Sequence, residues 1–216
     1  MHPSSGEQQA GPVLRETAID LQQRRRHRKP ARDEGAQAPQ IVHYTRPRER
    51  PFTRAERPHT TVLFGGLTWK HESLIQASLS ALGYRCEALA TPTTSAFQTG
   101  REYGNHGQCN PTYFTVGNLV EHLQQLEQHG LSKQEIIDRY VFLTAGACGP
   151  CRFGMYEAED RLALQNAGFD GFRVLLFQQK HGFSQSGGDA GLDLNVDFFL
   201  ALLNAFCLGD LLNDIA

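Results

Sequence analysis

After Thr60 the pattern of apolar and polar positions changes period several times, and each change marks an element. Thr61-Val-Leu-Phe-Gly-Gly66 is a short apolar run closed by glycines and predicts a β-strand. A helical pattern from about Lys70 to Leu82 follows, and Tyr84-Arg-Cys-Glu-Ala-Leu89 reads as a second strand. Thr91-Pro-Thr-Thr-Ser-Ala-Phe-Gln-Thr-Gly100 is rich in turn formers and predicts a loop, which runs on through a polar stretch to Cys109. Asn110 suits an N-cap and Pro111 the first helical position. Val116, Leu119, Val120, Leu123 and Leu126 then form one apolar stripe, and Gly130 ends that helix. Ser132-x-x-Glu135 is a capping-box signature for a short helix before the strand Tyr140-Val-Phe-Leu-Thr-Ala145. A helix from near Arg152 to about Asn166 and a strand Phe172-Arg-Val-Leu-Leu-Phe177 come next. Beyond the loop Ser186-Gly-Gly-Asp-Ala-Gly191, the residues Leu192, Val196, Phe199, Leu203, Cys207 and Leu211 keep helical spacing to the end.

Four strands alternating with helices imply an α/β, Rossmann-like fold, a parallel sheet covered by helices on both faces. In such sheets a ligand lies beyond the carboxyl ends of the strands. The turn after the Tyr140 strand, Cys148-Gly149-Pro150-Cys151, occupies that kind of position.

The first 58 residues have a different character. Met1 to His59 holds 12 Lys/Arg against 7 Asp/Glu, whereas the remainder holds 9 against 16. The basic part includes Arg24-Arg-Arg-His-Arg-Lys29, several prolines and few large apolar residues, so residues 1–58 read as a disordered basic tail or linker and 59–216 as the folded domain. No aromatic interleaving accompanies the arginines, so a solvated tail is favoured over a nucleic-acid contact. No apolar run approaches the roughly 20 residues that span a bilayer, and no membrane partner is expected. The start lacks a secretory pattern, and five cysteines, an odd number, argue for reduced thiols and a cytoplasmic setting.

The candidate chemistry rests on thiols. Cys148 and Cys151 sit at a strand-to-helix junction, and Cys109 precedes another helix start. Unpaired N–H groups and the helix dipole at such places favour a thiolate. Glycines at 107, 146 and 149 would let the backbone approach sulfur closely. A shared inorganic cluster held by all three thiols is the favoured reading. A dithiol–disulfide couple of Cys148 and Cys151 is the alternative. A structural zinc module completed by a histidine such as His71, His106 or His181 is another. Cys86, on a strand face, and Cys207, on the apolar stripe of the last helix, read as inert core thiols. Glu159 lies near an apolar face and is expected to pair with an arginine rather than to move protons.

Cys-Gly-Pro-Cys is also the thioredoxin tetrapeptide. Ala147 stands where thioredoxins carry tryptophan, no proline follows Pro150, and about ninety residues of α/β pattern precede the motif. Four longer segments resemble another family. They are Phe64-Gly-Gly-Leu-Thr-Trp-Lys-His-Glu72, Gly107-Gln-Cys-Asn-Pro-Thr-Tyr-Phe-Thr-Val-Gly117, Thr144-Ala-Gly-Ala-Cys-Gly-Pro-Cys-Arg-Phe-Gly-Met-Tyr-Glu157 and Asn166-Ala-Gly-Phe-Asp-Gly-Phe-Arg-Val-Leu-Leu-Phe-Gln178 with Gln179. Together, over about Arg50 to the C-terminus, they resemble the 2-hydroxyacyl-CoA dehydratase and activase-related proteins of bacteria. The resemblance implies a [4Fe–4S] cluster held by Cys109, Cys148 and Cys151. It also implies low-potential electrons supplied by an ATP-hydrolysing activase, and further α/β domains as partners. The family's members are usually much longer, so the chain reads as a short or truncated form.

Overall fold

Alternation within the strands decides which helix covers which face. The computed structural model describes residues 49–146, 151–178, 182–183 and 189–215; the basic tail up to Arg48 lies outside them, as does Cys148. Strands β1 (Thr61–Phe64), β2 (Arg85–Ala88), β3 (Tyr140–Gly146), β4 (Arg173–Gln178) and β5 (Gly182–Phe183) form one sheet in the order β2-β1-β3-β4-β5. The first four run parallel, and β5 pairs antiparallel with β4. This is the α/β, Rossmann-like architecture expected from the sequence.

Among the described residues six α-helices accompany the sheet: α1 (Trp69–Ala81), α2 (Thr94–Tyr103), α3 (Asn110–Gln128), α4 (Lys133–Arg139), α5 (Tyr156–Asn166) and α6 (Val196–Ile215). Val62 and Phe64 of β1, Val141 of β3 and Leu175 of β4 point to one face and pack with Ile75 and Leu79 of α1 and Phe198 and Ala205 of α6. Leu63, Phe142 and Val174 point to the other, against Leu119 and Leu123 of α3, Ile136 of α4 and Leu164 of α5. Each fully buried leucine there contributes about 1.5–3 kcal/mol of transfer free energy. Ser132 caps α4 as expected, its Oγ accepting from Glu135 N while the Glu135 carboxylate accepts from Ser132 N at 3.0 Å.

The structure corrects three expectations. Residues 94–103 are the helix α2, not a loop. Its turn-forming start serves as the N-terminus, and packing supplies what its propensity lacks. A Cβ on Gly117 of α3 would strike the Ala96 carbonyl, and one on Gly100 would strike the Tyr113 carbonyl, so the two backbones meet where neither helix has a side chain. The folded unit also begins before residue 59. Phe52 is 1 % exposed in the core. Its carbonyl accepts from Gly191 N at 2.8 Å, and Thr53 bridges Ala190. Charged residues of this segment serve structure as well. Glu49 pairs with Arg161, and the two cover the open edge of β4 at Val174, Glu49 accepting from its N–H at 3.0 Å and Arg161 donating to its carbonyl at 2.8 Å.

The third correction concerns the last helix. Val196, Phe199, Leu203, Cys207 and Leu211 face solvent on α6, and the buried face is Phe198, Ala205 and Gly209. Cys207 is therefore not a core thiol. Because α6 is apolar around its whole circumference, periodicity alone could not choose its inner side. With 20 residues and mean hydropathy 1.5 it is long and apolar enough to cross a bilayer by length and composition, which the sequence reading did not anticipate. It is tied to α1, however, by His71 Nε2 to Asp210 at 3.0 Å and by Lys70 Nζ donating to the Leu212 carbonyl at 2.6 Å.

Candidate functional site

The chain leaves β1 toward β2 on one side and returns to β3 on the other, so the loops following β1 and β3 diverge. In a parallel sheet such a divergence, at the carboxyl end of the strands, is where a ligand crevice forms. Gly65 to Thr68 follow β1 there, and β3 ends there at Gly146.

Cys109 is itself the N-cap of α3, with Asn110 and Pro111 opening the helix; the expected cap lay one residue later. The shift places sulfur directly at the start of a 19-residue helix. Its Sγ lies 3.0 Å from the Thr112 hydroxyl and 3.9 Å from the Tyr156 hydroxyl. The Thr112 hydroxyl and backbone, then Tyr156, hold the exposed Cys109 thiol below its ordinary pKa.

The loop carrying Cys109 is fastened from below. The Tyr113 hydroxyl accepts from Gln108 N at 3.0 Å and donates to the Asn105 carbonyl at 3.1 Å. The buried Glu159 accepts from Asn105 Nδ2 at 2.9 Å and Gln108 Nε2 at 3.0 Å. Glu159 thus binds amides, where the sequence suggested an arginine. Gly107, at φ 80°, makes the tight turn between them.

Cys151 is exposed and caps a 3-10 turn, Arg152–Met155, which runs on into α5; the sequence had placed the α-helix about four residues earlier. Tyr156, first residue of α5, brings its hydroxyl to 3.9 Å from Cys109 Sγ. Burial raises its phenol pKa, opposed by a hydrogen bond with Thr112 and reinforced by the Cys109 thiol and by charge at Cys109 and Cys151. One helical turn on, Asp160 is fully buried with neither carboxyl oxygen hydrogen-bonded among the described residues, and burial followed by Glu157 and Glu159 pushes it up to about 8.

The remaining sequence candidates separate from this site. His71 is buried on the α1–α6 side, its Nδ1 2.7 Å from the Thr68 hydroxyl and its Nε2 on Asp210. His106 is exposed, and His181 lies outside the described residues. Cys86 packs into the core, and burial pushes its thiol up to about 12. Glu72 accepts from Leu67 N at 3.1 Å and so fixes the turn after β1. A groove of about 330 Å³ beside α3, lined by Thr91, Asn118, Glu121 and His122 among others, contains none of the cysteines.

Among the described residues no three His, Cys, Asp or Glu side chains converge as a metal-binding group. Two of the three expected thiols, Cys109 and Cys151, are exposed and each stands at the start of a helical element. The donor type fits a thiolate-held cluster, since both are exposed sulfurs at backbone starts and one has a depressed pKa. Sequence reasoning missed Thr112 and Tyr156, although a hydroxyl three residues into a Cys-capped helix and a tyrosine five residues past Cys151 were visible signals. Compared with known protein families, curated proteins and solved structures, the chain matches none.

Proposed function

We propose that this chain is an iron–sulfur module of the 2-hydroxyacyl-CoA dehydratase and activase-related kind, in which Cys109, Cys148 and Cys151 hold a [4Fe–4S] cluster. The observation that supports the reading is the exposed Cys109 at the start of α3, its Sγ 3.0 Å from the Thr112 hydroxyl and 3.9 Å from the Tyr156 hydroxyl, with a second exposed thiol, Cys151, five residues before Tyr156. When bound, such a cluster supplies one-electron transfer at a potential set by its surroundings. The residues of the chain bind and tune it. Cys109 offers a thiolate favoured by its helix start, and the Thr112 and Tyr156 hydroxyls are placed to donate to that sulfur. Glu159 and Tyr113 keep the Cys109 loop in register with α5. The electron donor in this reading is an ATP-hydrolysing activase, and further α/β domains cover the exposed thiols.

The test is anaerobic purification with iron, sulfide and zinc analysis. A brown protein with about four irons per chain and an EPR signal on reduction is expected. Cys109→Ser and Cys148→Ser should each lower bound iron, while Cys86→Ser should leave it unchanged. Full iron content in both of the first two variants would overturn the assignment. So would a colourless, metal-free protein that reduces insulin disulfides catalytically, or one holding zinc alone.

A further inference from the structure

We propose that the outward face of α6 is the contact surface for a second copy of this chain, the two α6 helices crossing at Leu203 and Cys207. Against its own fold the helix buries Phe198, Ala205 and Gly209, with Leu202 partly buried beside them and Phe206 resting on the His71 ring. On its other side Val196 (72 % exposed), Leu200, Leu203 and Leu211 form a stripe with Cys207, and Phe199, Phe206, Leu208, Leu212 and Ile215 flank it. A largest apolar patch of about 300–600 Å² is ordinary for a monomer. These side chains, with the neighbouring Leu67 and Trp69 (66 % exposed) at the start of α1, expose on the order of the 800 Å² that one partner contributes to a standard interface.

The stripe also suits two-fold pairing. Val196, Leu200, Leu203 and Cys207 are spaced four, three and four residues apart, the alternation that lets two helices interlock. From Phe198 to Gly209 there is no charged residue, so a crossing centred on Leu203 and Cys207 has its nearest carboxylate in Asp210, one turn past Cys207 and turned toward His71 Nε2 at 3.0 Å; Asp197 and Asp214 fall at the two ends. In an isologous contact each patch meets its own copy, and the residue on the axis meets itself. Here that residue is Cys207.

Lipid is the poorer occupant. Asp197, Asp210 and Asp214 punctuate the helix, and carboxylates are costly in hydrocarbon. Three side chains of the α1 region, those of His71, Lys70 and Thr68, hold the last two turns of α6 against the fold through Asp210, Leu212 and Asn213.

Sedimentation of the reduced full chain across the micromolar range tests the proposal. The wild type should dimerise, and Leu203→Asp, at an exposed position, should raise the dissociation constant about 100-fold or more while circular dichroism stays unchanged. Mild copper–phenanthroline oxidation of the wild type should give a covalent dimer that Cys207→Ser does not form. In that step two Cys207 thiols release two protons and pass two electrons to the copper oxidant as one S–S bond forms. A wild type that stays monomeric at about 100 μM overturns the proposal. So does a dimer that Leu203→Asp leaves intact, or a monomer that instead floats with phosphatidylcholine vesicles.

Discussion

Helices α3 and α6 are nearly equal in length, 19 and 20 residues, and each shows a leucine-rich stripe at helical spacing. In α3 that stripe is the core: Val116, Leu119, Val120 and Leu123 are all buried. In α6 the stripe of the same spacing is the surface, with Leu203 57 % exposed. The difference lies in the opposite face. Around α3 stand Asn118, Glu121, Gln124, Gln125 and Gln128, so only one side can be buried. Around α6 almost everything is apolar, so its inner side is set by fit, by the gap that Gly209 leaves for the His71 ring and by Phe198 reaching Tyr84. A period identifies a helix. Contrast between faces identifies its inside.

The largest effect expected from this contrast comes from matched leucine truncations. Leu123→Ala should cost about 2–5 kcal/mol, because the residue is fully enclosed and a cavity remains. Leu203→Ala should stay within about 0.5 kcal/mol when the chain is monomeric. Urea denaturation at sub-micromolar protein, below self-association, measures both. Equal costs would break the comparison.

The same reasoning separates what could be read in the sequence from what could not. Strands β1 to β4 and helices α1, α3, α4 and α5 each had either a polar face or flanking glycines and caps, and they were legible to within a few residues, α5 least so at its start. Helix α2 was not, since Thr91-Pro-Thr-Thr reads as turn chemistry and its stabilising contact is a glycine-to-backbone approach with α3 that only the tertiary fold creates. Phe52 was lost among prolines and arginines, although one aromatic suffices to anchor a strand of chain beneath Gly191. At the site, the helix-start position of Cys109 followed from Asn110-Pro111. Its relation to Tyr156, 47 residues away, depended on how α5 packs beside α3.

Two glycine substitutions sharpen the comparison at a smaller scale. Gly117→Ala in α3 pushes a methyl group onto the Ala96 carbonyl of α2, and backbone on both sides leaves little room to yield. A net loss of about 1–3 kcal/mol is expected despite the better helix propensity of alanine. Gly209→Ala in α6 meets the His71 ring, a side chain able to turn, so its loss should be the smaller. With His71→Ala already present the ring is gone, and Gly209→Ala should then stabilise by about 0.5–1 kcal/mol. A Gly209→Ala loss unaffected by His71→Ala would mean that the seat of α6 lies elsewhere.

The last contrast concerns two thiols that the sequence placed in one class. Cys86 and Cys207 both lie on apolar stripes, but Cys86 packs against the core while Cys207 is exposed. Burial raises the Cys86 pKa from 9.0 to about 12, so between those values the folded chain keeps a proton that the unfolded chain has lost. Its contribution is fully present below about pH 9 and declines as pH rises toward 12. Wild type and Cys86→Ala should therefore converge in stability over that interval. In native monomer a thiol reagent should modify Cys207 within minutes and reach Cys86 only on unfolding. If Cys86 is modified as quickly as Cys207, the β2 face is open, and the division between a helix that hides its stripe and one that displays it does not extend to the strands.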